Sequence, residues 1–276
     1  LGLVDASGFA AEPMFYGGAF RKYGIEVQVT RVGKFKSAVE PFILDKMSAE
    51  NRERLTTHWR ERLSDVPALE LPTDRPRPAV RTARGAQVAV GLPREVVEGI
   101  HALSRREGTT LYMTLLAAFK VLMHRYSGQD DFAVGTPVAN RPLREVEGLI
   151  GYFVNVVVLR TDLSGRPTFR DLLARVRSTV LEAFEHQELP LDQVVEAVRP
   201  PRDPSRTPLF QVMFALQNNA MPVFEGEGLT IEPLELRDGS GTAKFDLTLG
   251  LAETAGELIG LIEYDSDLFD RSTIER

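Results

Sequence analysis

Apolar residues recur along most of the chain at the spacings that helices and strands require. Stretches with an apolar residue every three to four positions alternate with stretches in which every second residue is apolar. The pattern predicts helices at 12–23, shortly after Pro41, at 48–63, 93–103, 111–122 and 168–185 and from Pro190 onward, and strands at 25–32, 86–90, 132–138, 152–159, 210–216, 245–251 and 258–264. Because helices and strands are mixed, we expect an α/β fold built as a two-layer sandwich.

Local signals fix several of these boundaries. Ser48, Thr110 and Thr168 stand directly before helical patterns and are favourable N-cap residues, while Pro93 suits a first helical turn. The stretch VPALELPTDRPRP contains four prolines and is predicted to run extended. The predicted strand YFVNVVVL is apolar enough to be buried on both faces.

Composition narrows the class of protein. The 276 residues are 43% hydrophobic and 26% charged, which is typical of a water-soluble globular protein. The net charge of −6 gives no reason to expect nucleic acid as a partner, and no apolar run reaches the roughly 18 residues of a membrane span. The chain has no cysteine, which excludes disulfides and thiolate chemistry and fits a reducing compartment. We expect a cytoplasmic protein.

The balance of lysine and arginine changes near residue 55. Up to Leu55 the chain has four lysines and four arginines, and from Thr56 onward it has two lysines and twenty-three arginines. Such a change indicates two segments of different origin, although chance in a short segment is an alternative. The predicted helix 48–63 runs across this position, so any join lies inside a continuous helix.

Residue types alone do not identify an active site. Lys34, Lys36 and Ser37 suggest a serine nucleophile with a lysine base, but neighbouring Lys36 and Ser37 point to opposite sides of an extended chain. The four histidines are spread along the chain without metal-ligand spacing. His186 ends a predicted helix, where capping is a simpler role than catalysis.

Six ordered stretches resemble the condensation domain of nonribosomal peptide synthetases. They are HWRERLSDVPALELPTDRPRP (58–78), YSGQDDFAVGTPVANR (126–141), IGYFVNVVVLRTDL (150–163), HQELPLDQVVEAV (186–198), RDPSRTPLFQVMFALQN (202–218) and GTAKFDLTL (241–249). The resemblance implies one lobe, the second, of a pair of chloramphenicol-acetyltransferase-like lobes. In that family an amide bond forms between thioesters tethered to carrier proteins.

The catalytic signature of the resembled family, HHxxxDG, is absent from this chain. Its second histidine assists attack of the acceptor amine, and it belongs to the first lobe. The Asp238–Gly239 pair has no histidine near it. Such a group typically contributes a factor of about 10²–10⁴ in rate, so we expect this chain to be inactive alone.

The resemblance also assigns roles to individual residues. Gly151 and Asn155 are candidate tunnel-facing positions that bind an amide or pantetheine group, although an Asn satisfied within the core fits equally well. Asp203 and Arg206 are expected to form a local ion pair that orders a loop. Gly241 permits an unusual backbone conformation, and His186 belongs to the HQELPLDQ motif.

Residues 1–55 resemble a different family, the serine-lysine protease signal peptide peptidase A. The stretches GFAAEPMFYGGAF, YGIEVQVTRVGKFKSAVEPF and DKMSAENRERL carry this resemblance. It places the general base of that family on Lys36, while the nucleophilic serine belongs to a part that this chain does not contain.

Together the resemblances predict a chimera with residues 1–55 as a peptidase-like fragment and residues 56–276 as the second condensation lobe. They imply aminoacyl and peptidyl carrier proteins, a complementing first lobe and an adenylation domain as partners in secondary metabolite biosynthesis. Phosphopantetheine would be carried by the carrier proteins, and no cofactor or metal is expected on this chain. A peptidase fragment and a non-catalytic interaction module are the alternatives.

Overall fold

The computed structural model describes residue 22 and residues 47–141, 151–217, 225–226, 229–230 and 241–276, with backbone alone at 225–226 and 229–230. The predicted helix at 12–23, apart from residue 22, the strand at 25–32 and the short helix after Pro41 lie outside the described residues. Lys36 and Asp238 lie outside them as well.

The described chain divides into two compact units. The first holds residues 47–65, 137–141, 151–157 and 182–200, and the second holds residues 66–136, 158–181, 201–217 and 241–276 together with the short segments 225–226 and 229–230.

Two helices form the framework of the first unit. Helix α1 (Ala49–Leu63) packs against helix α5 (Leu191–Val198). Ser48 caps α1 as predicted, since its Oγ accepts a hydrogen bond of 3.1 Å from the Asn51 amide. The buried residues of α1 recur every four positions at Asn51, Leu55, Trp59 and Leu63, which is the stripe that a helix buries.

A six-stranded mixed sheet is the main element of the structure. Its strands are β1 (Gly85–Leu92), β2 (Asp131–Val138), β3 (Asn155–Asp162), β4 (Val212–Gln217), β7 (Leu247–Thr254) and β8 (Glu257–Asp265), in the spatial order β1-β8-β7-β4-β2-β3. Strand β8 is antiparallel to both β1 and β7, whereas β4 is parallel to β7 and β2. Strands β5 (Glu225–Gly226) and β6 (Leu229–Thr230) form a separate hairpin.

Helices cover one face of this sheet. In the second unit, α2 (Arg94–Glu107) packs against α3 (Leu111–Ser127) and β8, and α3 packs against β4. Helix α4 (Phe169–Glu185) follows β3, and the short α6 (Arg271–Ile274) packs against β1. On β8, Leu258 and Tyr264 are buried, while Ile259 and Leu261 on the opposite face are 48% and 46% exposed. The α/β class and the two-layer arrangement are confirmed.

Some local predictions were wrong in detail. The strand predicted at 152–159 begins only at Asn155, and Tyr152 is 78% exposed. The apolar spacing of the helices predicted at 93–103 and 111–122 places Val96 and Leu122 on their buried faces, yet these residues are 45% and 48% exposed. An apolar residue beside the buried face of a helix can fit the spacing of three to four positions while its side chain remains exposed to solvent.

Candidate functional site

Asn155, a predicted substrate-binding residue, is the first residue of β3 and holds the loop that precedes α5. Its Nδ2 donates to the carbonyl oxygens of Gln187 (2.7 Å) and Leu189 (3.0 Å). Its Oδ1 accepts from the backbone amides of Val156 (2.8 Å) and Leu191 (3.2 Å). Both amide donors and both acceptor positions are therefore engaged by the backbone. The substrate-binding role of Asn155 stays a prediction.

Gly151, the second predicted tunnel position, allows a close approach of an aromatic ring. It lies in an exposed bend before β3, and a Cβ at this position would stand 2.9 Å from the ring of Phe153. The guanidinium carbon of Arg141 lies 3.9 Å from the centroid of the same ring, on which it stacks. A side chain at Gly151 would displace this ring, so the glycine has a packing reason independent of any substrate.

His186 directly follows α4 and contacts α1 through several groups. Its Nδ1 lies 2.8 Å from the Glu182 carbonyl oxygen, and its own carbonyl accepts a 3.0 Å hydrogen bond from Trp59 Nε1. Its ring stacks on the ring of His58 with a centroid distance of 3.6 Å and an interplanar angle of 7°. The Nε2 atom lies 3.2 Å from Arg54 Nη1. The residue thus joins the end of α4 to α1.

The neighbour of His186, His58, has a strongly perturbed pKa. Burial is the largest cause and the adjacent His186 adds to it, and together they lower the pKa of His58 from 6.5 to about 4. Glu182, whose Oε1 lies 3.9 Å from His58 Nδ1, acts in the opposite direction, while Arg62 and Arg54 also lower it. His58 is therefore neutral near pH 7. Sequence spacing could not reveal this pair, because its members are 128 residues apart.

In the second unit, the RDPSR motif forms a closed loop. Arg206 Nε lies 3.3 Å from Asp203 Oδ2, and Asp203 Oδ1 accepts hydrogen bonds from the amide (2.8 Å) and hydroxyl (2.6 Å) of Ser205. Arg206 also donates to Glu70 at 2.8 Å. Hydrogen bonds from Ser205 are the largest cause that lowers the pKa of Asp203. These contacts describe an ordered turn before β4.

The GTAKFDL motif contains a backbone turn and a buried carboxylate. Gly241 has φ +69°, a conformation that favours glycine, and its carbonyl accepts from the Gly85 amide at 2.9 Å. Asp246 is 1% exposed and forms a forked pair with Arg77, whose Nη1 lies 3.0 Å from Oδ1. Arg77 also donates to the Ser205 carbonyl. Sequence reasoning missed this pair, although both residues lie in motifs that it singled out.

A fully buried lysine lies in the core of the second unit. Lys120 on α3 is 0% exposed, its Nζ donates to the Leu159 carbonyl at 2.8 Å, and it lies 5.1 Å from the Phe132 ring centroid. Burial lowers the pKa of Lys120 to about 7, against a smaller effect of Asp131. Lys120 lies four positions after buried Leu116 and therefore on the same face of α3. A charged residue on the face of a helix that holds a buried leucine was the sequence signal available for this site.

The described residues form no metal centre. Within these ranges, no three His, Cys, Asp or Glu side chains converge as metal ligands, and no helix is long and apolar enough to cross a bilayer. Asn155, His186 and His58 occur in one unit, while Asp203, Arg206 and Gly241 occur in the other. Lys36 lies outside the described residues, so its predicted role as a base stays a prediction.

Comparison with known families gives two matches along the chain. The condensation domain family matches residues 38–276, and peptidase family S49 matches residues 1–63. The two matches overlap at residues 38–63, which include the helix α1. The peptidase match covers less than a quarter of the chain.

Individual relatives agree with the larger match. The chain is 51% identical over 233 residues to a component of the linear gramicidin synthase of Brevibacillus parabrevis, in an alignment that covers 84% of this chain but only 3% of that protein. A complex of the X-domain and OxyB from teicoplanin biosynthesis superposes with a TM-score of 0.73 at 29% identity, over 82% of this chain and 50% of that one. The four-domain nonribosomal peptide synthetase holo-AB3403 gives a TM-score of 0.73 at 25% identity, over 94% of this chain and 21% of that one.

The chain thus spans 3% of the gramicidin synthase component and about half of a solved domain with the same fold. The predicted chloramphenicol-acetyltransferase-like lobe is confirmed by structural neighbours that include condensation domains. With a family match over residues 38–276, the chain belongs to the condensation-domain family of nonribosomal peptide synthetases.

Proposed function

We propose that this chain contributes the second lobe of a condensation domain that joins carrier-bound aminoacyl or peptidyl thioesters. The observation that carries this proposal is the family match over residues 38–276 in a chain that spans about half of a solved relative. The acceptor amine would attack the donor thioester carbonyl, forming a C–N bond and breaking the C–S bond. The released pantetheine thiol would take the proton lost by the amine.

The proposal includes a requirement for a complementing first lobe. The 276-residue sequence has no HHxxxDG, so the histidine that assists the amine must come from another polypeptide or segment. Phosphopantetheine would enter on the partner carrier proteins, with an adenylation domain supplying their aminoacyl groups. The setting would be secondary metabolite biosynthesis in the cytoplasm.

The exposed apolar face of the sheet is the surface that we assign to that first lobe. Ile259 and Leu261 stand on the face of β8 opposite buried Leu258, next to Gly91 and Ala89 of β1 in the strand register. A face of this kind in a lobe that pairs with another lobe is expected to become buried on assembly.

The test is amide formation followed by intact-mass measurement. A donor aminoacyl carrier protein and an acceptor aminoacyl carrier protein would be mixed with this chain alone, and with this chain plus a separately expressed first lobe containing HHxxxDG. We expect product only in the second mixture. Product from this chain alone would overturn the assignment of the chemistry to the missing histidine, and no product in either mixture would favour a non-catalytic role.

A non-catalytic binding module is the second candidate. The X-domain, which has the same fold, forms a complex with OxyB, so the fold occurs in a module that contacts another protein. Under this proposal the chain would dock on a partner without performing chemistry. Lack of amide product together with retained carrier-protein binding would select it.

The chimera with a peptidase-like segment is also a proposal, supported by the match over residues 1–63 and by the change in lysine and arginine usage. A fluorophosphonate serine probe tests the peptidase alternative. We expect no covalent labelling, because the resemblance places no nucleophilic serine in this chain. Labelling at a single serine would contradict this expectation.

A further inference from the structure

Three exposed arginines converge at the end of α2. Arg106 Nε and Arg170 Nε each lie 3.0 Å from a different carboxylate oxygen of Glu107. Arg177 Nε donates to the adjacent Gly108 carbonyl at 3.1 Å. We call Arg106, Arg170 and Arg177 the arginine cluster; it belongs entirely to the second unit.

The arginines are held by Nε only. Within the described residues, no terminal nitrogen of the three guanidinium groups has a hydrogen-bond partner. The Arg106 and Arg170 side chains are 66% and 68% exposed, whereas Glu107 between them is 15% exposed. The terminal edge of a guanidinium group is the edge that binds a carboxylate or phosphate in a forked geometry. The cluster therefore presents several such edges from anchored side chains.

The helix dipoles of α2 and α4 do not account for all the arginines at this surface. Arg106 and Arg177 suit the end of α2, where the helix dipole favours cations. Arg170, however, lies in the first turn of α4, where the dipole disfavours a cation. Among the described residues, the ion pairs of the cluster all go to Glu107, while Asp171 beside Arg170 accepts hydrogen bonds from Thr168. This positive surface occurs in a chain with a net charge of −6.

We propose that the arginine cluster docks the phosphopantetheine-bearing face of a carrier protein. This inference rests on the proposed function, which requires such partners. The arm is attached to its carrier through a phosphodiester, so every carrier brings a fixed negative charge to its attachment serine. Forked arginine–phosphate contacts on an exposed surface would favour encounter and orientation, and they weaken with salt.

Binding of one fluorescently labelled carrier domain, in its holo and apo forms, tests whether the arginine cluster is the docking site. Fluorescence anisotropy would be measured for the wild-type chain, for R106Q/R170Q, and for R125Q/R202Q as a control with the same change in charge at two other exposed arginines. We expect the wild-type chain to prefer the holo form and R106Q/R170Q to lose about tenfold in affinity for it. R125Q/R202Q should bind as the wild type does.

A geometric variant separates forked contacts from charge alone. R106K/R170K keeps both charges but loses the forked edges, so we expect an affinity for the holo form between those of the wild type and R106Q/R170Q. Equal binding by R106Q/R170Q and the wild type would show that the carrier protein does not dock at the arginine cluster. Equal losses for the holo and apo forms would overturn the assignment to the phosphate-bearing arm.

A carrier-free donor distinguishes failure of this inference from failure of the proposed function. With the first lobe present, aminoacyl N-acetylcysteamine thioesters replace both carrier-bound substrates, so neither phosphate nor carrier protein is present. We expect R106Q/R170Q to match the wild-type chain with these substrates and to be slower with the carrier-bound substrates. Rates equal to those of the wild type with both kinds of substrate would overturn the inference alone. A lack of product with every donor would reject the proposed function, while the anisotropy experiment would still test the cluster.

Discussion

The histidine pair at the end of α4 shows how strongly one side chain depends on its tertiary surroundings. His58 is stacked on His186 and is partly covered, while Arg54 and Arg62 add positive charge nearby. Each of these effects penalises the protonated imidazole, and Glu182 offsets them only in part. The stacking of His58 on His186 therefore requires the His58 ring to be neutral.

This pair predicts acid lability in the unit that contains Trp59. Unfolded His58 binds a proton below about pH 6.5, whereas folded His58 does so only near pH 4. Stability is thus lost as pH falls from 6.5 to 4 and is unaffected by this group above 6.5. We expect a loss of about 1–2 kcal/mol, allowing for partial solvent screening.

Urea titrations at pH 7.5 and 5 would measure the effect through Trp59, the single tryptophan of the chain. His58→Phe keeps an aromatic ring against His186 and should remove most of the pH dependence. The matched control is His101→Phe, since His101 lies on α2 in the other unit. An unchanged pH dependence in His58→Phe would contradict the prediction.

Lys120 has an effect of the same sign, at higher pH. Because the pKa of the buried amine is lowered to about 7, the folded state resists protonation that the unfolded chain accepts up to about pH 10.5. The unfolded state therefore binds more protons between these values, so stability rises with pH across this window. Below pH 7 the cost of the buried charge is fully present.

Comparison with Lys120→Met isolates this contribution. We expect the wild-type unfolding midpoint, followed by far-UV circular dichroism, to rise relative to that of the variant between pH 7 and 9.5 by an amount equivalent to about 1–3 kcal/mol. The Leu159 carbonyl loses its donor in the variant at every pH, so this loss does not affect the slope. Parallel pH curves would show that Lys120 is not titrating in the fold.

At the level of elements, the first strand residue of β3 fixes the loop before α5. Asn155 forms hydrogen bonds with four backbone groups, at Val156, Gln187, Leu189 and Leu191. The Gln187 and Leu189 carbonyls lie in the loop, and the Leu191 amide lies in the first turn of α5, where a helix offers its amides no acceptor. The amide side chain replaces the missing secondary structure.

Asn155→Asp is predicted to release this loop. The carboxylate keeps the shape but faces the carbonyl oxygens of Gln187 and Leu189 without a donor, which should cost about 2–3 kcal/mol. Hydrogen exchange of the amides at 187–191 and the urea midpoint of Trp59 fluorescence would report it. Asn140→Asp, at a half-buried loop asparagine outside this contact set, serves as the control. Unchanged exchange at 187–191 in Asn155→Asp would contradict the assigned role.

For the whole molecule, the uncovered sheet face should control association. Ile259 and Leu261 are large, apolar and nearly half exposed on β8. We expect the chain alone to bind a hydrophobic dye or self-associate, and to do so less when the first lobe is added.

Leu261→Lys should lower dye binding and weaken association with the first lobe by about tenfold, as measured by sedimentation and by titration with that lobe. Leu122→Lys, at a similarly exposed leucine on α3, is the matched control. A monomeric wild-type chain with low dye binding, or equal effects of the two substitutions, would contradict the assigned face.

Much of the fold was determined by local sequence, which explains why it could be predicted. Helices are defined by N-caps, here Ser48, Thr110 and Thr168, and by apolar spacing. Both involve residues only a few positions apart, so they can be recognised without knowing the tertiary structure. Periodicity also gave the α/β class. The condensation motifs identified the family because they preserve a specific order of residues along the chain.

Tertiary structure alone decided the strand order and the contacts of the site residues. The pairing of β4 with β7, the stack of His58 on His186 and the Arg77–Asp246 pair each join residues more than thirty positions apart. Neither helical nor strand periodicity encodes such contacts, since both describe only which face of one element a residue occupies. Whether a polar residue is exposed, like Arg170, or buried, like Lys120, depends on what the rest of the chain places around it.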